Sequence, residues 1–195
     1  MVARLFVEGK ADDKFLRDYI LFLLKDGDPN DLDIIRLDGW TNIPKVEPKF
    51  KEHSDAGHIN LLILDADDNP IQRRRQILGY KNTIGIDFEL FLLPNDQDSG
   101  NLETILCQII SQNHQPIFDC FDRYQDCLRN NPTYHVPNLK SKIFAYLEAL
   151  LPPNQSEMCQ DHKRNYLNAD HWDLDNPNLD PLRKFLFSDN YTYFL

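Results

Sequence analysis

The sequence predicts an α/β protein: a doubly wound, mainly parallel four-stranded sheet with a C-terminal helical extension. Three observations carry this prediction. Short β-rich apolar runs alternate with longer amphipathic stretches through the first half of the chain. The strand-like runs are nearly continuously apolar, as expected of strands covered on both faces. Beyond about residue 112 no convincing strand occurs, and helical spacing takes over. The chain therefore divides into an α/β core over residues 1–112 and a helical lobe over residues 113–195, packed on the core rather than independent.

Taken in order, Leu5-Phe6-Val7 is a buried-strand run closed by Glu8-Gly9. Residues 12–24 follow with Phe15, Leu16, Tyr19, Ile20, Leu23 and Leu24 at helical spacing. Residues 34–37 read as a second strand, ended by Asp38-Gly39. Residues 43–51 form a weaker helix candidate, because Pro44 suits a first turn while Pro48 interrupts the interior. The strongest strand is Asn60-Leu61-Leu62-Ile63-Leu64, which runs straight into Asp65. A helix carrying Arg73, Arg74 and Arg75 spans 71–78, and a fourth strand spans 88–93. After a polar loop from Pro94 to Gly100, a helix is expected from Leu102 to about Ser111. In the second half, 117–128 and 139–151 read as helices, Pro152-Pro153 opens a polar stretch to about Asp180, and 181–187 forms a last helix. An aromatic tail with Tyr191, Tyr193 and Phe194 closes the chain.

Composition excludes several classes of function. Of 195 residues, 31 are Asp or Glu against 21 Lys or Arg, a net charge of −10. Both halves are acidic, so binding to nucleic acid through bulk charge alone is excluded. No apolar run approaches membrane-spanning length, and no secretory signal is evident; a cytoplasmic protein is expected. Cys107, Cys120, Cys127 and Cys159 form no C-x-x-C pair, which argues against a zinc knuckle and for reduced thiols. The six histidines are scattered, with no H-x-x-x-H, and no phosphate-binding or dinucleotide-binding glycine motif is present.

What remains is acidic chemistry at strand ends. Ligands of open α/β sheets bind beyond the carboxyl ends of the strands. Strand one ends at Glu8, strand three at Asp65 in Leu-Asp-Ala-Asp-Asp, and strand four leads to the loop before Glu103. If strands one and three are neighbours, Glu8, Asp65 and Asp67 converge. Three ionised carboxylates together repel one another unless a cation joins them, and hard oxygen ligands favour Mg²⁺ or Mn²⁺. Asp12, Asp68 and Glu103 are further candidate ligands, Asp12 for a second ion, since two ions can divide the work of phosphodiester cleavage. Each also has a plainer reading. Asp12 suits a helix cap or first turn, Asp68 a cap for the helix near Ile71, and Glu103 a first turn favoured by the helix dipole. Lys10 is well placed to contact a phosphate oxygen. Arg73, Arg74 and Arg75 read as a solvated helix face, and Lys140 and Lys142 are weaker candidates for a phosphate contact.

Together these segments resemble a Toprim domain, the Rossmann-like metal-binding module of topoisomerases, primases, RNA-maturation nucleases and overcoming-lysogenization-defect (OLD) nucleases. Val7-Glu8-Gly9-Lys10 with Asp12 resembles its glutamate motif, and Asp65-Ala66-Asp67-Asp68 its Asp-x-Asp motif. Phe91-Leu92-Leu93-Pro94 followed by Gly100-Asn101-Leu102-Glu103 is similar to an uncharacterised stand-alone Toprim-like family with a helical C-terminal segment. The resemblance implies Mg²⁺ binding by Glu8, Asp65 and Asp67 and phosphodiester chemistry on DNA or RNA, with Lys10 as a catalytic candidate. It also implies partners: nucleic acid, and a protein such as a separate ATPase, because no ATPase segment accompanies these motifs. Two other readings stand beside it. One is a non-catalytic metal- or nucleic-acid-binding regulatory module. The other is a haloacid-dehalogenase-type phosphatase using Asp65 and Asp67, although that family places its aspartates after the first strand. A receiver domain is matched less well, since this sequence has no clear Thr and Lys at later strand ends.

Overall fold

The structure, a computed structural model, describes residues 2–25, 28 and 32–187. Strands β1 (Ala3–Val7), β2 (Ile34–Arg36), β3 (Ile59–Asp65) and β4 (Glu89–Leu93) form one sheet in the order β2-β1-β3-β4. Every pairing is parallel, with Val7 opposite Ile63 and Asp65 opposite Leu93. β1 is followed by α1 (Lys10–Leu24) on the way to β2, whereas β3 is followed by α3 (Pro70–Ile84) on the way to β4 on the other side. The connections thus diverge between β1 and β3, leaving a crevice beyond their carboxyl ends.

Strand alternation builds two cores. Leu5, Val7, Leu61, Ile63, Phe91 and Leu93 meet Phe15, Leu16, Tyr19 and Ile20 of α1 on one face. Phe6, Leu62, Leu64 and Leu92 meet Phe50 and Ile77 on the other, the first stacked on Phe50 at 3.6 Å between ring centroids. Because successive side chains alternate faces, Asp65 continues the Leu61–Ile63 row toward α1.

The helical lobe closes the first face. It comprises α5 (Gln115–Arg129), α6 (Leu139–Leu150) and α7 (Asp180–Leu186), and packs beside α4 (Leu102–Gln108), the last helix of the core. Phe118, Ile143, Tyr146, Leu147, Tyr166, Trp172 and Leu182 belong to the same buried cluster as the sheet face, so the lobe and the sheet share one core. The stretch from 152 to 180, polar in composition, holds three short 3-10 turns around an irregular segment and nevertheless buries Cys159, Arg164, Tyr166, Trp172 and Leu179. Buried residues are spaced irregularly there, which is why no period reveals them.

Several elements differ from expectation. The helix expected over 43–51 is a 3-10 turn from Trp40 to Val46 followed by α2 (Glu47–Asp55). Pro48 lies in the first turn of α2, where its missing N–H costs nothing, and so breaks no helix. α3 runs to Ile84, through Gly79, and stops at the left-handed Gly85. α4 ends at Gln108, short of Ser111. Asp68 is not the cap of α3; Asn69 is, its side chain accepting from the Gln72 N–H. The Tyr191, Tyr193 and Phe194 tail lies outside the described residues. Among those residues, no helix is long and apolar enough to cross a membrane.

Two loops at the carboxyl edge are fastened to each other. Asp67 and Gly100 exchange reciprocal backbone hydrogen bonds, each 2.8 Å. Gly100 has φ +142°, and a Cβ there would stand 2.7 Å from Thr104 Oγ1 and 3.1 Å from Pro94 Cδ. Gly100→Ala is expected to destabilise the protein by about 1–3 kcal/mol in urea unfolding, through backbone strain and this clash. An unchanged midpoint would show that the loop relaxes freely.

Candidate metal centre

The crevice between β1 and β3 holds four carboxylates close enough to act on one another: Glu8, Asp12, Asp65 and Glu103. Each arrives by a different route. Glu8 follows the last residue of β1, and one carboxylate oxygen, Oε2, is buried without a hydrogen-bond partner. Asp12 lies in the first turn of α1 and accepts a 2.9 Å hydrogen bond from the Gly9 N–H. Asp65 ends β3, and its Oδ1 accepts a 3.0 Å hydrogen bond from the Leu102 N–H at the start of α4. Glu103 follows in the first turn of α4.

Burial and mutual repulsion hold two of these acids in their protonated range. The Asp12 carboxyl is pushed up to about 7, first by burial and then by the charges of Glu8 and Glu103, against the opposing Gly9 hydrogen bond. Asp65 is pushed up to about 8, first by burial and then by Asp12 and Glu8, with Glu103 adding to the effect. The plainer reading of Asp12 is therefore also correct as far as it goes, since the residue ties down the helix start. It does so from a buried position, 8% exposed, facing the other acids.

Asp67 stands apart. Its carboxylate is gripped by the Arg73 guanidinium, its backbone is left-handed at φ +52°, and its side chain is 54% exposed. Asp68 is exposed on the same loop, and Lys10 is exposed as the first residue of α1. Among the described residues, no three His, Cys, Asp or Glu side chains are arranged so that they could hold a metal ion together. The donor set still suits a hard cation: an orphaned buried oxygen on Glu8, and two carboxyls whose ionisation is opposed by their neighbours. Mg²⁺ commonly takes only one or two carboxylates and keeps several waters, so an open set of this kind fits it.

The arginines of α3 are not a solvated face throughout. Arg73 lies against Trp40, its guanidinium carbon 4.5 Å from the ring centroid, and Arg74 donates to Asp96 at 2.5 Å; Arg75 alone is exposed. Lys142 pairs with Asp122 at 2.6 Å and lies over Phe118, while Lys140 pairs with Asp161 at 2.5 Å, so both serve the helical lobe. Sequence reasoning passed over Tyr166, which packs against α1, and the buried Arg164 near it. Tyr166 meets Phe15, one turn along α1 from Asp12, at 5.2 Å and edge-on, and Arg164 is 1% exposed. Neither carries a motif, and only the fold brings Tyr166 to α1, where its N–H donates to the Asp18 carboxylate 148 positions away.

Fold and crevice together define a doubly wound α/β protein with an acidic site at its topological switch point. The chain belongs to the family described as a protein of unknown function (DUF3226), which it matches over residues 2–186. No curated protein matches it. Nor does any solved structure.

Proposed function

We propose that this protein is a Mg²⁺- or Mn²⁺-dependent, Toprim-like nuclease or related phosphotransfer protein acting on DNA or RNA phosphodiesters. The observation that carries the reading is the burial of Asp65 and Asp12 beside Glu8 at the β1–β3 switch point. Such a group is unfavourable as bare anions and is relieved by a divalent cation. Glu8 and Asp65 would hold the ion, with Asp12 and Glu103 beside them. A bound ion supplies Lewis-acid activation of a phosphoryl oxygen and a more acidic water. Lys10, exposed at the start of α1, would meet a non-bridging phosphate oxygen. Asp12, with its carboxyl at about 7, is suited to hold or release a proton near neutral pH. The Asp67–Arg73 pair argues for a ligand set centred on Asp65 rather than on the full Asp-x-Asp motif.

The test pairs Mn²⁺ titration with cleavage of single- and double-stranded DNA and RNA. Wild-type protein is expected to bind Mn²⁺ and to cleave only when the ion is present. Asp65→Asn and Glu8→Gln should lose both properties while keeping the fold by circular dichroism, and Asp67→Asn should keep most of the Mn²⁺ affinity. Cleavage that persists in chelator overturns the reading. Tight Mn²⁺ binding with no turnover on any substrate favours the regulatory-module alternative. The pairing of Asp67 with Arg73 already gives that alternative some weight.

A further inference from the structure

The loop between β3 and α3 opens into a polar pocket of about 210 Å³. Asp67, Asp68, Asn69, Gln72, Arg73 and Gln76 line it. Arg73 is its fixed wall. The guanidinium lies over the Trp40 ring, one of its amino groups grips Asp67, and the other, Nη1, is buried without an acceptor; the side chain is 11% exposed. An arginine locked in this way loses little further freedom when a ligand arrives.

The chemistry of the lining selects the ligand. Asp67 neutralises Arg73, and Asp68 adds a negative charge, so a free phosphate is repelled. The carboxamides of Gln72 and Gln76 project from successive turns of α3, offering donors and acceptors without charge. A neutral, flat heterocycle with a mixed hydrogen-bonding edge satisfies all of this. Guanidinium planes stack on unpaired bases, and glutamine amides read base edges.

We propose that this pocket holds one unpaired nucleobase of a single-stranded nucleic acid, stacked on Arg73 and read by Gln72 and Gln76. The inference rests on the phosphodiester reading above and names the form of its substrate. Single strands bind through stacking as well as charge, which answers how so acidic a chain engages nucleic acid.

The experiment measures anisotropy of labelled hexanucleotides, DNA and RNA, in Mn²⁺. Each is compared with an abasic sugar–phosphate backbone of the same length and with its duplex. Wild-type protein is expected to bind the base-bearing strands about tenfold more tightly than the abasic backbone or the duplex. The exposed double variant Gln72→Ala/Gln76→Ala should lose that preference and keep the affinity for the abasic backbone. Equal binding of both backbones, a preference surviving in the double variant, or no binding of any strand each overturns the proposal. Mn²⁺ titration of the same samples reports on Glu8 and Asp65 separately. Loss of the base preference with intact Mn²⁺ binding sinks only the pocket; absence of Mn²⁺ binding sinks the crevice reading.

Discussion

In metal-free buffer the protein is expected to lose stability steadily as pH rises from 6.5 to 8.5. Asp12 and Asp65 have folded-state values raised to about 7 and about 8, from ordinary values of 3.8. A group raised on folding contributes its stability in full below the unfolded value and loses it as pH climbs through the folded one. The window for these two acids therefore runs from about pH 4 to above 8. Two histidines act in the opposite sense at its lower end. Burial lowers His53 and His171, so their contribution is present above the ordinary value of 6.5 and is lost as pH falls below it. Above pH 6.5 the carboxyls make the largest contribution to the change. Between pH 6.5 and 8.5 the loss should be on the order of 2 kcal/mol, read by urea unfolding at fixed ionic strength. Asp65→Asn removes the ionisation while keeping an oxygen for the Leu102 N–H, so it should flatten the profile and raise metal-free stability at pH 8.5. Mn²⁺ should stabilise the wild type more at pH 8.5 than at pH 6.5, because its ligands must shed protons. A flat wild-type profile would show that the crevice acids ionise normally, and the case for an ion there would fall with it.

Trp172→Ala should be among the most damaging single substitutions in the chain, costing about 3–5 kcal/mol. The indole is 2% exposed and lies 5.2 Å from Tyr166 and 5.7 Å from Tyr146, ring centroid to centroid. Its backbone forms the bridge with Ile110, while the Asp173 N–H donates to the Ile109 carbonyl at 2.7 Å. Tyr166 in turn touches Phe15 of α1. Removing the indole opens a cavity where lobe and sheet meet, so the unfolding transition should shift as one cooperative step detected equally by far-ultraviolet and near-ultraviolet dichroism. Two separated transitions would show that the lobe melts by itself and that the shared core contributes little.

How much of this was legible beforehand differs from residue to residue. The junction of Leu64 and Asp65 could be read directly, because a buried parallel strand ending in a carboxylate is both apolar and abruptly interrupted. Neighbouring positions for β1 and β3 followed from the doubly wound pattern, and with them the approach of Glu8 to Asp65. Asp12 was harder, since a first-turn acid has the same sequence signature whether it faces solvent or three other acids. The Arg73–Asp67–Trp40 assembly could not be read at all. It depends on a left-handed backbone at Asp67 and on a 3-10 turn that brings Trp40 across to α3. The role of 152–180 was hidden for another reason: its polar surface residues dilute the buried ones, and turns impose no repeat on which side faces inward.

The reciprocal hydrogen bonds between Asp67 and Gly100 carry a thermodynamic consequence. Asp67 walls the pocket, while Gly100 lies two residues before Leu102, whose N–H holds Asp65. The proposed base beside Asp67 and the proposed ion on Asp65 would thus sit at opposite ends of one short hydrogen-bonded connection. Whatever free energy one occupant gains from the other's presence, the second must gain equally from the first. If the two sites are coupled, the change that a cation makes in single-strand affinity should therefore equal the change that the strand makes in cation affinity, whichever its sign.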